Sequence, residues 1–309
     1  MLTKQELFIS ILICILLSII IKINFFNNEF HPKNIPNKSQ PSQSPEQKET
    51  QSDNNYPSKI SNTKLYKVIN IFPRKNPTVY TQGLIYYNQS LFESGGLYYK
   101  STLTHMEFPS QKIIKKINLE NKYFAEGIAS SSENNILYQL TYKEKEILLY
   151  SFPDLNLIKK MKMPEEMREG WGLCYCEEKK EFYATDGSDK IFILNIDKNN
   201  NELKLKKIIK VTKDMRPVYQ LNELITDGIY IYSNVYFSDK ILKINPNNGQ
   251  VMNIYDMTPL IEYEIKNGNL TSSRMNRGDV LNGIAYIPEK KSFILTGKLW
   301  NYYFEVIFS

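Results

Sequence analysis

YTQGLIYYNQSLFES, residues 80–94, opens on a triplet that returns along the chain. Gln82-Gly83-Leu84 is followed by Glu126-Gly127-Ile128, Trp171-Gly172-Leu173, Asn222-Glu223-Leu224 and Asn282-Gly283-Ile284, at spacings of 44, 45, 51 and 60 residues. Each triplet is followed by a second signature: Phe92-Glu93-Ser94, Leu140-Thr141-Tyr142, Thr185-Asp186-Gly187, Asn234-Val235-Tyr236 and Thr296-Gly297-Lys298. Short β-branched and aromatic runs bounded by turn residues fill the intervals, with no long helical period among them. A repeat of 45 to 50 residues holding three or four short strands has the size of a propeller blade, and radial closure leaves few exposed strand edges. From Leu65 to Ser309 there are 245 residues, or 49 for each of five units. LYKVINIF (65–72) precedes the first unit without a partner, and YYFEVIF (302–308) ends the last one short of a strand. The two termini are expected to share a blade and close the ring. The expected fold is thus all-β, a five-bladed β-propeller over 63–309; a β-sandwich is the competitor, since regular short strands fit it as well.

Composition agrees with strands. The 309 residues include 22 Tyr and 15 Phe but only 2 Trp, and aromatics at that density favour β-structure. Lys and Arg (39) exceed Asp and Glu (33) by six without a long basic run, so nucleic acid is not an expected partner. Three cysteines exclude a disulfide framework. Cys174 and Cys176 lie two apart on one face of a predicted strand, a spacing that suits packing rather than a bridge. Neither they nor the two histidines, His31 and His105, form a metal-ligand cluster; His105 is expected between strands.

Ahead of the repeats, Leu7 to Ile21 is an unbroken run of 15 apolar or small residues, and with Ile23, Phe25 and Phe26 it is long enough to cross a bilayer while Lys22 snorkels. No small-x-small cleavage site follows, so residues 1–26 are expected to form an uncleaved signal anchor. Residues 27–62, rich in Asn, Gln, Ser, Pro and Lys, are expected to be a disordered tether. The sequons Asn37-Lys38-Ser39, Asn88-Gln89-Ser90 and Asn269-Leu270-Thr271 favour a secretory-pathway membrane, with the large C-terminal part lumenal or extracellular.

In a propeller the residue that opens each triplet faces the central channel, so Gln82, Glu126, Trp171, Asn222 and Asn282 converge. The second signatures add Glu93, Tyr142, Asp186, Tyr236 and Lys298. Varied chemistry beside persistent Gly and Leu separates a site from its scaffold, although a wet channel lining would read similarly. YTQGLIYYNQSLFESGGLYYKSTL, AEGI, YQLTY, EGWGLCY, ATDGS, LNELITDGIYIYSNVYFSDKILKINPNNGQV and DVLNGIAYIPEKKSFILTGKLW, in order from Tyr80 to Trp300, resemble the plant and bacterial type of glutaminyl-peptide cyclotransferase, a five-bladed propeller. That resemblance implies cyclisation of N-terminal glutaminyl residues of peptides or proteins to pyroglutamate with release of ammonia. It places the catalytic carboxylate on Glu126, the site Asn and Lys on Asn222 and Lys298, and the first-motif Gln on Gln82 with an aromatic at Tyr80. Trp171 matches the family's third-motif Trp. Where the family usually carries two further Trp, this chain has Tyr142 and Tyr236, which keeps an aromatic wall and alters the pocket.

The chemistry demands little. The α-amine attacks its own side-chain carboxamide, so the enzyme must freeze one rotamer and move protons. A carboxylate among aromatics, Glu126, suits the proton transfers, and Lys298 or the Asn222 amide suits the oxyanion. Tyr80, Gln82, Tyr142, Trp171, Tyr236, Asn282 and Glu93 are the expected substrate contacts; Glu93 could instead support the site from behind or pair with Lys298. No metal or other cofactor is called for. Two other readings compete. Glu126, Asn222, Asn282 and Asp186 are oxygen-rich enough to suggest a metal-dependent lactonase-type propeller, although Asp186 also reads as a turn residue capping its own backbone. The other is a non-catalytic binding module.

Overall fold

The computed structural model of the chain describes residues 65–309. The expected anchor (1–26) and tether (27–62) lie outside the described residues; among those described, no helix is long and apolar enough to cross a membrane.

Five four-stranded antiparallel sheets form five blades. The innermost strands are Thr81–Tyr87, Ala125–Ser131, Leu173–Cys176, Leu221–Thr226 and Leu281–Ile287, and each touches the next around a closed ring. The second strands, such as Ile136–Thr141 and Ser292–Gly297, are buried throughout, whereas the outermost strand Ile113–Asn118 is exposed at four of its six residues and fully buried at none. Burial on both faces explains why the inner strands lack a clean polar–apolar alternation. The Lys-rich runs fall on outermost strands, Ile113–Asn118 and Glu202–Lys210, as their charge dictates at an edge.

The termini meet as expected. Tyr66–Pro73 pairs with Tyr302–Phe308, Tyr66 opposite Phe308, and supplies the outermost strand of blade five. Arg74, the next residue, carries its side chain into the seam between blades five and one. There its guanidinium meets Glu93 at 2.7 Å, Thr296 Oγ1 at 3.1 Å and the Tyr303 ring at 4.7 Å.

Two features depart from expectation. His105 lies within the third strand of blade one and stacks on Phe92 at 4.1 Å. The interval of 60 residues between the fourth and fifth triplets holds a helix, Thr258–Asn267, started by Pro259 and packed through Leu260 and Ile261, and then a short turn of helix, Ser272–Asn276. Glu264 on the longer helix is fully buried and accepts from Asn301 N at 2.5 Å. Burial raises its carboxyl from 4.5 to about 7, against the pull of that hydrogen bond and of Arg74. A raised folded-state value stabilises below the unfolded value of 4.5, and that contribution is lost as pH rises through 7. Glu264→Gln is therefore expected to melt like the parent near pH 5 and above it at pH 8.5, checked by thermal unfolding at both; a constant difference would assign the effect to packing.

Candidate active site

Each triplet sits on a break in its strand. The ladder register shifts between Thr81 and Gly83, Ala125 and Ile128, Leu221 and Leu224, and Leu281 and Ile284. In blade three the strand begins only at Leu173, and Trp171 N reaches Thr185 O at 3.1 Å. Such bulges re-aim a side chain, and here they aim five at the hub. The glycines let the strands crowd: a Cβ on Gly172 would lie 2.3 Å from Asn222 O. In the fourth triplet Glu223 replaces Gly, and its carboxyl crosses the channel to accept from Leu84 N at 3.0 Å, closing the ring to the first blade.

Gln82, Glu126, Asn222 and Asn282 are all buried. Gln82 Nε2 donates to Glu126 Oε1 at 3.2 Å, and Asn282 Nδ2 donates to Gln82 Oε1 at 3.3 Å, so blades five, one and two are linked by a chain of amides ending on the carboxylate. The Oδ1 atoms of Asn222 and Asn282 are buried without a hydrogen-bond partner. Two orphaned acceptors in a native interior call for a donor brought from outside.

Lys298 enters from blade five, 3% exposed, with Nζ 4.5 Å from the centre of the Tyr236 ring and 4.9 Å from that of Tyr80. Tyr80 donates to Gly278 O at 3.2 Å, and a Cβ on Gly278 would meet both tyrosine hydroxyls, at 2.9 Å from Tyr80 and 3.0 Å from Tyr236. Burial pulls the Lys298 ammonium down to about 8, opposed by Glu126, Glu223 and Asp279. Burial likewise pushes Glu126 well above the usual carboxylate range; Lys298 opposes this, and Glu169 and Glu144 add to it. The two shifts bring an acid and a base toward each other, as a site that takes and returns protons requires.

Aromatic rings wall the cluster. Trp171 meets Tyr236 edge-on at 5.6 Å, Phe124 lies 5.6 Å from Tyr142, and Tyr80 lies 6.3 Å from Phe124. Tyr142 is half-buried at the mouth. Phe124 was not among the expected residues, yet it precedes Glu126 by two positions as Tyr80 precedes Gln82.

Glu93 and Asp186 stand apart from the cluster. The strand pairs Thr81–Gly95, Ala125–Thr141, Leu221–Val235 and Leu281–Gly297 are equivalent, so Tyr142, Tyr236 and Lys298 correspond in blade one to Gly96, three residues beyond Glu93. Glu93 instead gives both oxygens to the blade seam, accepting from Arg74 and Thr81 on one and from Tyr303 on the other. It neither pairs with Lys298 nor offers a free oxygen to a substrate. Asp186 accepts from Ser188 N at 3.1 Å and pairs with Arg168 at 3.3 Å, which makes it a turn residue and removes it from the oxygen-rich set. Cys174 and Cys176 are buried free thiols within the core.

The family model described as glutamine cyclotransferase matches residues 42–308. A glutaminyl-peptide cyclotransferase of Arabidopsis thaliana is 32% identical over 236 residues, which is 76% of this chain and 68% of the relative. The crystal structure of Myxococcus xanthus glutaminyl cyclase matches with a TM-score of 0.67 at 29% identity, over 78% of this chain and 95% of that one. With that match over most of its length, and a hub that joins carboxylate, amides, lysine and aromatic rings, the chain belongs to the glutamine cyclotransferase family.

Proposed function

We propose that the hub closes the N-terminal glutaminyl residue of a peptide onto itself, with Glu126 as the proton carrier. The observation that supports this is a buried carboxylate linked to Gln82 and through it to Asn282, beside unpartnered amide oxygens and an ammonium set over two tyrosine rings. The substrate's amine and carboxamide hydrogens supply the donors that Asn222 Oδ1 and Asn282 Oδ1 lack. Trp171, Tyr142, Tyr80 and Tyr236 exclude water and hold the flat carboxamide with its face toward the amine. The neutral α-amine attacks the side-chain carbonyl carbon, and a carbon–nitrogen bond forms as the carbonyl π pair moves onto oxygen. Glu126 takes a proton from the new ammonium, and Lys298, with the Asn222 amide, meets the oxyanion. Glu126 then returns the proton to the amide nitrogen, the old carbon–nitrogen bond breaks, and ammonia leaves. No step calls on a metal.

The same reading extends to the cell. Residues 1–26 anchor the chain in a secretory-pathway membrane, 27–62 tether it, and the propeller faces the lumen or the exterior; within the described part, Asn88 and Asn269 are both exposed, as glycosylation requires. The full chain, expressed in a eukaryotic host, is expected to stay in the alkali-washed membrane fraction and to convert a Gln-initiated peptide to a product lighter by one ammonia, read by mass spectrometry. Peptides beginning with Glu or Asn should turn over far more slowly, and a chelator should change nothing. Loss of turnover with chelator would revive a cation held by hub oxygens, and activity in the soluble fraction would remove the anchor.

A further inference from the structure

Two residues before the hub residue, the five blades carry Tyr80, Phe124, Glu169, Gln220 and Val280. In four blades the carbonyl at this position accepts from the second strand: from Gly96 at 2.8 Å, Tyr142 at 3.0 Å, Tyr236 at 2.8 Å and Lys298 at 2.9 Å. These four positions therefore lie level with one another around the mouth of the pocket, and Glu169 holds the corresponding place two residues ahead of the blade-three triplet. Two are aromatic walls, and Glu169 in blade three is the one that bears a carboxylate.

Glu169 Oε1 accepts the indole N–H of Trp171 at 3.0 Å. The opposite support is Gly187, the blade-three counterpart of Tyr142, Tyr236 and Lys298, with φ +73°. A Cβ there would lie 2.7 Å from the Trp171 ring, so the absent side chain is the seat of the indole. Tyr236 touches the ring edge-on, and the Arg168–Asp186 pair holds the irregular segment that carries Glu169 against the Gly187 turn. The field of Glu169 also reaches inward, where it raises both Glu126 and Tyr142.

We propose that Glu169 is a positioning residue of this reaction: its carboxylate fixes the Trp171 indole as the pocket wall and places a negative charge where the substrate's α-ammonium enters. This rests on the cyclisation reading for its second half only. At neutral pH a peptide α-amine, with a pKa of about 7.7–8.0, is largely protonated, and a charge at the rim of a binding site acts chiefly on encounter and on its salt dependence. The hydrogen bond and the charge separate by mutation, because Gln keeps an acceptor for the indole and Ala keeps nothing.

The chain has two tryptophans, and Trp300 is fully buried. Emission quenched by acrylamide therefore reports Trp171. In the full chain, Glu169→Gln should quench like the parent, hold kcat within about twofold and raise KM for a Gln-peptide about threefold at low salt, the difference fading by 0.5 M salt at about the 4 Å Debye length expected there. Glu169→Ala should roughly double the quenching constant and lower kcat about tenfold, since a displaced wall loosens the reacting geometry. Equal quenching in all three proteins would overturn the seat, and an unchanged KM in the Gln variant, or a change that persists in high salt, would overturn the recruiting charge. Quenching is read whether or not the peptide turns over, so a parent without cyclase activity would sink the reaction while leaving the indole seat separately tested.

Discussion

Glu126→Gln is expected to lower kcat for a Gln-peptide by about 10³-fold, within the 10²–10⁴ that a positioned general acid–base supplies. The amide has the size of the carboxylate and its oxygen can still accept from Gln82 Nε2, now at 3.2 Å, so the pocket keeps its shape and KM should stay within about threefold. What the variant cannot do is hold a proton between its removal from the attacking amine and its delivery to the leaving nitrogen. Stability should not fall, because the buried site exchanges a group that resists ionisation for one that never ionises. The loss of a counter-charge should move Lys298 further below about 8, seen as an earlier alkaline limb in any residual turnover. A fall in kcat of less than tenfold in a variant that melts like the parent would place the proton carrier elsewhere.

The hub was legible because it repeats. Once Gln82, Glu126, Trp171, Asn222 and Asn282 are recognised as one position, the propeller sends them to one place, and the unpaired first and last strands announce the closing blade. Reading the repeat outward was less secure. The second signature carries no constant residue, so its pattern sets Glu93 beside Tyr142, Tyr236 and Lys298, three positions short of their true counterpart Gly96, and does not distinguish a seam carboxylate from a pocket one. The same repeat, followed two residues back from each triplet, would have yielded Phe124 and Glu169. Gly278, which receives the Tyr80 hydroxyl, and Asp279, which acts on Lys298, lie in the insertion between blades four and five and have no counterpart to align. The helix Thr258–Asn267 escaped because its buried face includes Glu264, a residue that reads as solvent-facing until its backbone donor is seen.

Arg74→Met is expected to destabilise the propeller by about 3–5 kcal/mol, because it leaves a carboxylate buried without its cation, and to lower Tm by about 10 °C. The side chains of Arg74 and Glu93 are 1% and 3% exposed, so water offers no substitute for the lost partner. The residue also holds the seam mechanically. From the end of the closing strand it donates to Thr81 Oγ1 of blade one and to Thr296 Oγ1 and Gly297 O of blade five, next to Lys298. Met fills much of the volume under Tyr303, which separates the charge from the packing. Adding Glu93→Gln should then recover about 2 kcal/mol, since the amide oxygen still accepts from Thr81, the amide NH2 can donate to the Tyr303 hydroxyl in place of the bond lost there, and no uncompensated charge remains buried. Urea unfolding of the two single variants and the double variant measures the coupling directly. Should the double variant prove no more stable than Arg74→Met alone, the seam is held by shape and hydrogen bonding, and the ion pair is incidental to ring closure.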